Sequence, residues 1–152
     1  MLGDEVPYAT TVTVEQFALQ GSLRRIHATV FVDKTSQRAI LLGEVVTVER
    51  RRGVTFVGLD IGWNVNCSYF IYRFAQELVV CRAADADRTE IVTVAGHINE
   101  AGDVFAEDYP MPPVEEGDMV ALLNAGGYLQ AMSSTHCLRP MGSAIFLDRE
   151  IG

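Results

Sequence analysis

The chain has 152 residues, of which 49% are hydrophobic and 21% charged. This length and apolar content predict one globular domain spanning residues 1–152 and exclude a disordered chain. The formal net charge of -8 argues against a nucleic-acid partner. No apolar run reaches the roughly 20 residues that cross a bilayer, and the first residues lack a signal-peptide pattern. We therefore expect a cytoplasmic protein that does not bind membranes.

The N-terminal part of the chain mixes strand and helix signals. Residues 10–14 are rich in β-branched side chains, which favour a strand. Thr13 and Gln16 have the spacing of a capping box, so a short helix is predicted at 15–19. Residues 26–32 predict the next strand.

Strand patterns dominate from residue 39 onwards. The apolar run 39–49 and the run 54–60 flank the basic, glycine-containing turn 50–53, so together they predict a hairpin with an exposed turn. Residues 69–82 predict one bent strand or two short ones. The remaining predicted strands are 91–95, 103–106, 119–123 and 144–147. Turn signals roughly every 8 to 12 residues predict an all-β, mainly antiparallel sandwich or barrel.

Three prolines in the region 110–113 interrupt this series. They predict a stiff surface connection that leads into the turn 115–118.

The chain has one lysine, Lys34, in a polar turn beside Asp33. An acidic neighbour and exposure both favour the charged, unreactive amine. A lysine that binds a cofactor covalently needs a depressed pKa, which usually comes from burial or a cationic neighbour. Lys34 is therefore not expected to carry a cofactor. The chain also lacks the phosphate-loop and nucleophile-elbow motifs.

The possible metal ligands with sulfur or imidazole groups are scattered: Cys67, Cys81, Cys137, His27, His97 and His136. The cysteines have no CxxC spacing, which argues against a disulfide framework or a zinc site. His97 and His136 could meet in space, but a polar histidine near a turn more often has a structural role. The sequence therefore predicts no metal site.

Several motifs follow one another between residues 37 and 147. They are GLDIGWN at 58–64, GHINEAGD at 96–103, EEGD at 115–118, NAGGY at 124–128, MSS at 132–134 and RP at 139–140. In this order and spacing they resemble the C-terminal β-domain of the pyridoxal-phosphate-dependent diaminopimelate, ornithine and arginine decarboxylases of fold type III. The resemblance implies a modified Greek-key β-barrel or sandwich with one or two short helices, as in the C-terminal domains of these enzymes and of alanine racemase. Residues 1–36 remain as an extension that the resemblance does not cover.

The resemblance also implies roles for individual residues. Tyr128 matches a tyrosine whose hydroxyl reaches the cofactor phosphate, as a neutral donor can. Glu100 matches the acidic residue that binds the distal group of the substrate, and a carboxylate suits a cationic amine. Two more residues are implied to bind the substrate. Asn99 lies beside Glu100 in the sequence, and Tyr72 matches a tyrosine near the substrate carboxylate.

Departures from the family pattern put catalysis in doubt. Asn99 stands where the family has a cysteine beside Glu100, and Ser68 stands where the family has an arginine before Tyr72. His136 and Cys137 stand where the family has a Tyr-Asn pair. The cofactor-binding barrel of the family is not found in this sequence. We therefore expect no catalytic residue in this chain alone, and pyridoxal phosphate only through a partner.

Two interpretations stay open. In the first, the chain is a β-domain subunit of a split decarboxylase-like enzyme and completes the active site of a separate barrel chain for a small amino-acid-like substrate. In the second, it is a non-catalytic relative that binds a protein partner or a small ligand, because a fold does not guarantee its function. An unrelated enzyme is disfavoured, because no nucleophile–base or metal constellation is visible. Either way, we expect a heteromer or a homodimer to cover the surface that the family buries.

Overall fold

A computed structural model describes residues 29–33, 39–126 and 129–147. In this part of the chain the strands are β1 (Thr29–Asp33), β2 (Ala39–Arg51), β3 (Val54–Leu59), β4 (Leu78–Val80), β5 (Glu90–Ala95), β6 (Val104–Met111), β7 (Met119–Leu122) and β8 (Ser143–Leu147). Two short helices accompany them, α1 (Ser68–Tyr72) and α2 (Leu129–Met132). The predicted strand at 10–14, the predicted helix at 15–19 and Lys34 lie outside the described residues.

The eight strands form one curled sheet with the order β4-β7-β2-β3-β5-β6, and β1 joins β2 to β8. Most pairings are antiparallel, whereas β3 with β5 and β1 with β8 are parallel. The prediction of a mainly antiparallel, all-β fold with one or two short helices is confirmed for the described residues. None of the described helices is long and apolar enough to cross a membrane.

The hairpin formed by β2 and β3 follows its sequence signal closely. Arg52 and Gly53 both have positive φ angles, 50° and 84°, as the tight two-residue turn that matches strand twist requires. A register shift between Val45 and Thr47 marks a bulge in β2. A bulge bends a strand. The first half of β2 pairs with β1 and β7, and the second half pairs with β3.

The prediction of strands across residues 69–82 is wrong for most of that segment. The chain forms helix α1 first, and only Leu78–Val80 is a strand. Helix α1 begins where the Asn66 side chain accepts a hydrogen bond from Ser68 N at 3.2 Å, and it ends at Arg73, whose φ is 53°. Asparagine favours such a local turn over an extended backbone.

The prediction of a surface connection at residues 110–113 is also wrong in part, because the segment begins inside a strand. Pro110 lies in β6, opposite Ile91 of β5. Because β6 is the last strand in the sheet order, a residue without an N–H is tolerated there.

The core lies inside the curl of the sheet. Its largest fully buried side chains come from several strands and from the segment after β3, and they include Leu41, Leu59, Ile61, Met111 and Leu122. The parallel pairing of β3 with β5 sets Gly58 opposite Ala95. The loops that follow these two strands, 60–67 and 96–103, therefore leave the sheet at the same edge.

Candidate functional site

Backbone contacts join the two loops at this edge. His97 N donates to Ile61 O at 3.1 Å, and Trp63 N donates to Asp103 Oδ1 at 2.6 Å. The loops therefore form one unit, and the loop at 96–103 carries the GHINEAGD motif.

Asp103 organises the loop at 96–103. Its side chain is 3% exposed, and besides Trp63 N it binds Ile98 N, which donates to Oδ2 at 2.5 Å. The loop is closed by Gly96 N, which donates to Asp103 O at 2.9 Å. Glu100 lies at the exposed tip of this closed loop.

Burial of Asp103 has a pH-dependent consequence. Desolvation raises the pKa of Asp103 above its ordinary value, the two backbone donors oppose this shift, and the charge of Glu100 adds to it. A carboxyl group with a raised pKa stabilises the fold at pH values below its unfolded pKa, and this contribution is lost as the pH rises through the folded pKa.

We expect the free energy of unfolding of the wild type, relative to that of Asp103→Asn, to fall as the pH rises through this range. Urea unfolding of both proteins between about pH 3 and pH 7 measures the difference. A difference that is constant or that rises with pH would contradict the assignment.

The segment at 134–140 packs against the same loops. Ser134 N donates to Asn64 O at 2.8 Å, and the buried Asn64 amide donates to Ser134 O at 3.3 Å and to Pro140 O at 3.2 Å. Arg139 adds a bond to His97 O at 3.2 Å. These contacts fix both ends of the segment and bring its middle to the tip of the other loop.

The result is a cluster of Glu100, His136 and Cys137. His136 Nε2 lies 2.5 Å from Glu100 Oε1, and one ligand atom from each of the three residues lies within 4.8 Å of the others. The ring of Trp63 packs beneath the His136 ring with a centroid distance of 4.5 Å. The Glu100 and His136 side chains are 43% and 36% exposed, so the pair contributes little to stability and both groups are accessible.

An exposed apolar surface adjoins this cluster. We call Phe70, Ile71, Tyr72 and Phe74 the aromatic face; their exposed fractions range from 45% to 62%. Phe70 connects the face to the cluster, because its ring stacks on Trp63 at 5.6 Å and Trp63 packs on His136.

The structure places the predicted site residues as follows. Glu100 and Asn99 are exposed at the loop tip. Tyr72 lies at the end of α1 in the aromatic face, with its hydroxyl 3.9 Å from Met132 Sδ. Tyr128 lies outside the described residues. Their binding roles remain predictions.

Trp63 and Asp103 are site residues without a clear sequence signal. The only local signal for Asp103 was its place after Gly102 in the GHINEAGD motif. Trp63, the one tryptophan in the chain, had no signal beyond its place in the GLDIGWN motif.

The described residues supply no covalent attachment for pyridoxal phosphate. Lys34, the one lysine in the sequence, is not among them. The part of the chain that the structure describes therefore does not fit the covalent form of this cofactor, and the attachment would have to come from elsewhere.

The curled sheet with two short helices is similar to the C-terminal domains of decarboxylases of known structure. The fold is similar to the crystal structure of the diaminopimelate decarboxylase from M. jannaschii in co-complex with L-lysine, with a TM-score of 0.69 and 25% identity over 74% of this chain and 25% of that one. A protein-family model described as "Pyridoxal-dependent decarboxylase, C-terminal sheet domain" matches residues 30–126. The chain belongs to this pyridoxal-dependent decarboxylase family, as the sequence resemblance predicted.

Two relatives illustrate how the similarity is distributed. Diaminopimelate decarboxylase from Archaeoglobus fulgidus is 37% identical over 116 residues, which cover 73% of this chain and 28% of the relative. The chain thus spans little more than a quarter of that protein. A shorter stretch is similar to GTPase Era from Nitrosomonas eutropha, with 51% identity over 43 residues, 28% of this chain and 14% of the GTPase.

Proposed function

We propose that this domain completes the active site of a pyridoxal-phosphate-dependent amino-acid decarboxylase whose cofactor-binding barrel is a separate chain. The observation that carries the proposal is the position of Glu100. It is exposed at the tip of a loop that the buried Asp103 holds closed, and it borders the aromatic face through His136 and Trp63. Interfaces combine an apolar core with polar groups around it. A carboxylate beside an apolar surface therefore suits a substrate site at a subunit interface.

The substrate class follows from the charge of Glu100. A carboxylate forms charge-assisted hydrogen bonds to an ammonium group, so the substrate is an amino acid with a second, distal amine. The M. jannaschii relative was crystallised with L-lysine, which has this chemistry. In this arrangement Asn99 lies beside the distal amine, Tyr72 lies toward the substrate carboxylate and Tyr128 donates to the cofactor phosphate. Pyridoxal phosphate, bound by the barrel, would supply the electron sink for decarboxylation.

The aromatic face supports an assembly. Several large apolar side chains exposed along one short segment favour an interface, and aromatic side chains are enriched at interface cores. We assign this face to the barrel partner, with a homodimer of the chain as the other expected assembly. Burial of the face would also shield the Glu100 site from water.

The test is to isolate the tagged full chain from its native cells after borohydride treatment, which fixes pyridoxal phosphate to the lysine that holds it. We expect a co-purifying chain with a modified lysine, and release of carbon dioxide from a diamino acid by the untreated complex.

The double variant Ile71→Ser/Phe74→Ser should lose the partner. Val46→Ser/Ile91→Ser is the matched control, because these side chains are 50% and 58% exposed, against 50% and 57% for the first pair. A chain that stays monomeric and brings down no lysine-modified protein would contradict the proposal.

The second candidate is a non-catalytic protein of this family that binds a ligand or a protein partner. Its support is the direct contact of His136 with Glu100, together with Asn99 and Ser68 in place of the family cysteine and arginine. In that case the aromatic face still binds a partner, but the co-purified complex releases no carbon dioxide from any diamino acid.

A further inference from the structure

The cluster at the loop tip combines three side chains that bind transition metals. We propose that Glu100, His136 and Cys137 form a zinc site. Carboxylate oxygen, imidazole nitrogen and thiolate sulfur are the three ligand types that Zn²⁺ takes in proteins. One ligand atom from each residue already lies within 4.8 Å of the other two. This inference differs from the sequence prediction of no metal site, because Glu100 lies 36 residues before His136 and only the fold brings them together.

The backbone at Cys137 supports a specific role for this thiol. Cys137 and Leu138 are consecutive non-glycine residues with positive φ angles, 54° and 59°. Such a conformation is strained for a residue with a side chain and persists where the surroundings impose it, often at functional sites. Packing of Leu138 does not account for the conformation, because its side chain is 95% exposed. The turn instead places Cys137 beside His136 and Glu100.

The geometry needs only a small adjustment to accept the ion. Glu100 Oε1 and His136 Nε2 are 2.5 Å apart, whereas two ligands of a tetrahedral zinc lie roughly 3.4 Å apart, given metal–ligand bonds of about 2.1 Å. Both side chains are partly exposed, so they can separate by this amount. The Trp63 ring packs against His136 with the two rings tilted by 45°, and this contact limits the movement of the imidazole. Three protein ligands leave a fourth position for water or a ligand.

The zinc site does not rest on the proposed function. If both hold, the ion takes the carboxylate that would otherwise bind the distal amine of the substrate. Zinc and substrate would then compete for Glu100.

The test uses the reduced full chain, without cofactor or partner, titrated with Co²⁺ as a spectroscopic probe for the zinc site. We expect one equivalent of Co²⁺ to bind, with a thiolate-to-cobalt charge-transfer band and with visible bands whose intensity is typical of tetrahedral cobalt. Added Zn²⁺ should abolish these bands. Cys137→Ser should remove the charge-transfer band. His136→Gln should weaken Co²⁺ binding by at least roughly 10-fold, since even the mutation of a residue that only contacts a metal ligand lowers metal affinity by this factor.

Cys81→Ser is the matched control. Burial raises the pKa of the Cys81 thiol to about 11, and Cys81 is not part of the cluster, so this variant should bind Co²⁺ like the wild type. Cys137→Ser changes an exposed residue, and an unchanged urea midpoint would show that it folds. A protein that gives no charge-transfer band, or a band that survives Cys137→Ser, would overturn the proposal.

Discussion

Replacement of Gly96 with Ala is expected to lower the free energy of unfolding by roughly 1–3 kcal/mol, the usual cost of overpacking. A Cβ atom at this position would overlap both oxygens and the Cγ of Asp103. Asp103 cannot easily retreat, because its carboxylate is held by the backbone N–H groups of Trp63 and Ile98. Urea unfolding followed by circular dichroism measures the change.

A double-mutant cycle identifies the cause. In an Asp103→Ala background the overlap is gone, so Gly96→Ala should cost much less than it does in the wild type. Ala101→Ser, an exposed change on the same loop, should alter stability by no more than about 0.5 kcal/mol. Equal costs of Gly96→Ala in both backgrounds would show that Asp103 is not the group that requires glycine at this position.

Local sequence signals predicted the hairpin of β2 and β3 well, because its cause is local. The apolar strands flank a turn whose second residue, Gly53, adopts a positive φ without strain. The segment 69–82 was predicted wrongly because its conformation depends on particular contacts. Its aromatic and aliphatic residues favour a strand, but the Asn66 side chain accepts a hydrogen bond from Ser68 N where the helix begins. The side chains at 70–72 remain exposed instead of filling a sheet face.

The candidate site was predictable only in part, for a similar reason. The motif at 96–103 indicated Glu100, and the family resemblance gave it a role. The contact with His136 depends on the parallel pairing of β3 with β5 and on hydrogen bonds from Asn64 to backbone carbonyl groups at 134 and 140. Backbone acceptors carry no residue-specific signal, so the sequence could not show that the segments meet.

Substitution of Glu100 with Gln is expected to lower the kcat/KM of the assembled enzyme for a diamino acid by roughly 10- to 100-fold. This corresponds to the loss of a hydrogen bond between charged groups, about 1.5–3 kcal/mol. The fold should be almost unchanged, because the carboxylate is exposed and its pair with His136 is solvated. The assay compares steady-state release of carbon dioxide by complexes that contain the wild-type and variant chains. A chelator in the buffer keeps metal ions away from Glu100.

Two controls make this result specific to recognition of the distal amine. Glu116→Gln removes an exposed carboxylate from the turn before β7 and should leave kcat/KM unchanged. A substrate of similar length without the distal amine has no cation for Glu100 to bind, so wild type and Glu100→Gln should process it at the same low rate. If Glu100→Gln lowered the rates for both substrates equally, the carboxylate would act on the assembly or the chemistry and not on the distal group. If it lowered neither, the domain would only support the barrel, and the non-catalytic interpretation of this surface would be the better one.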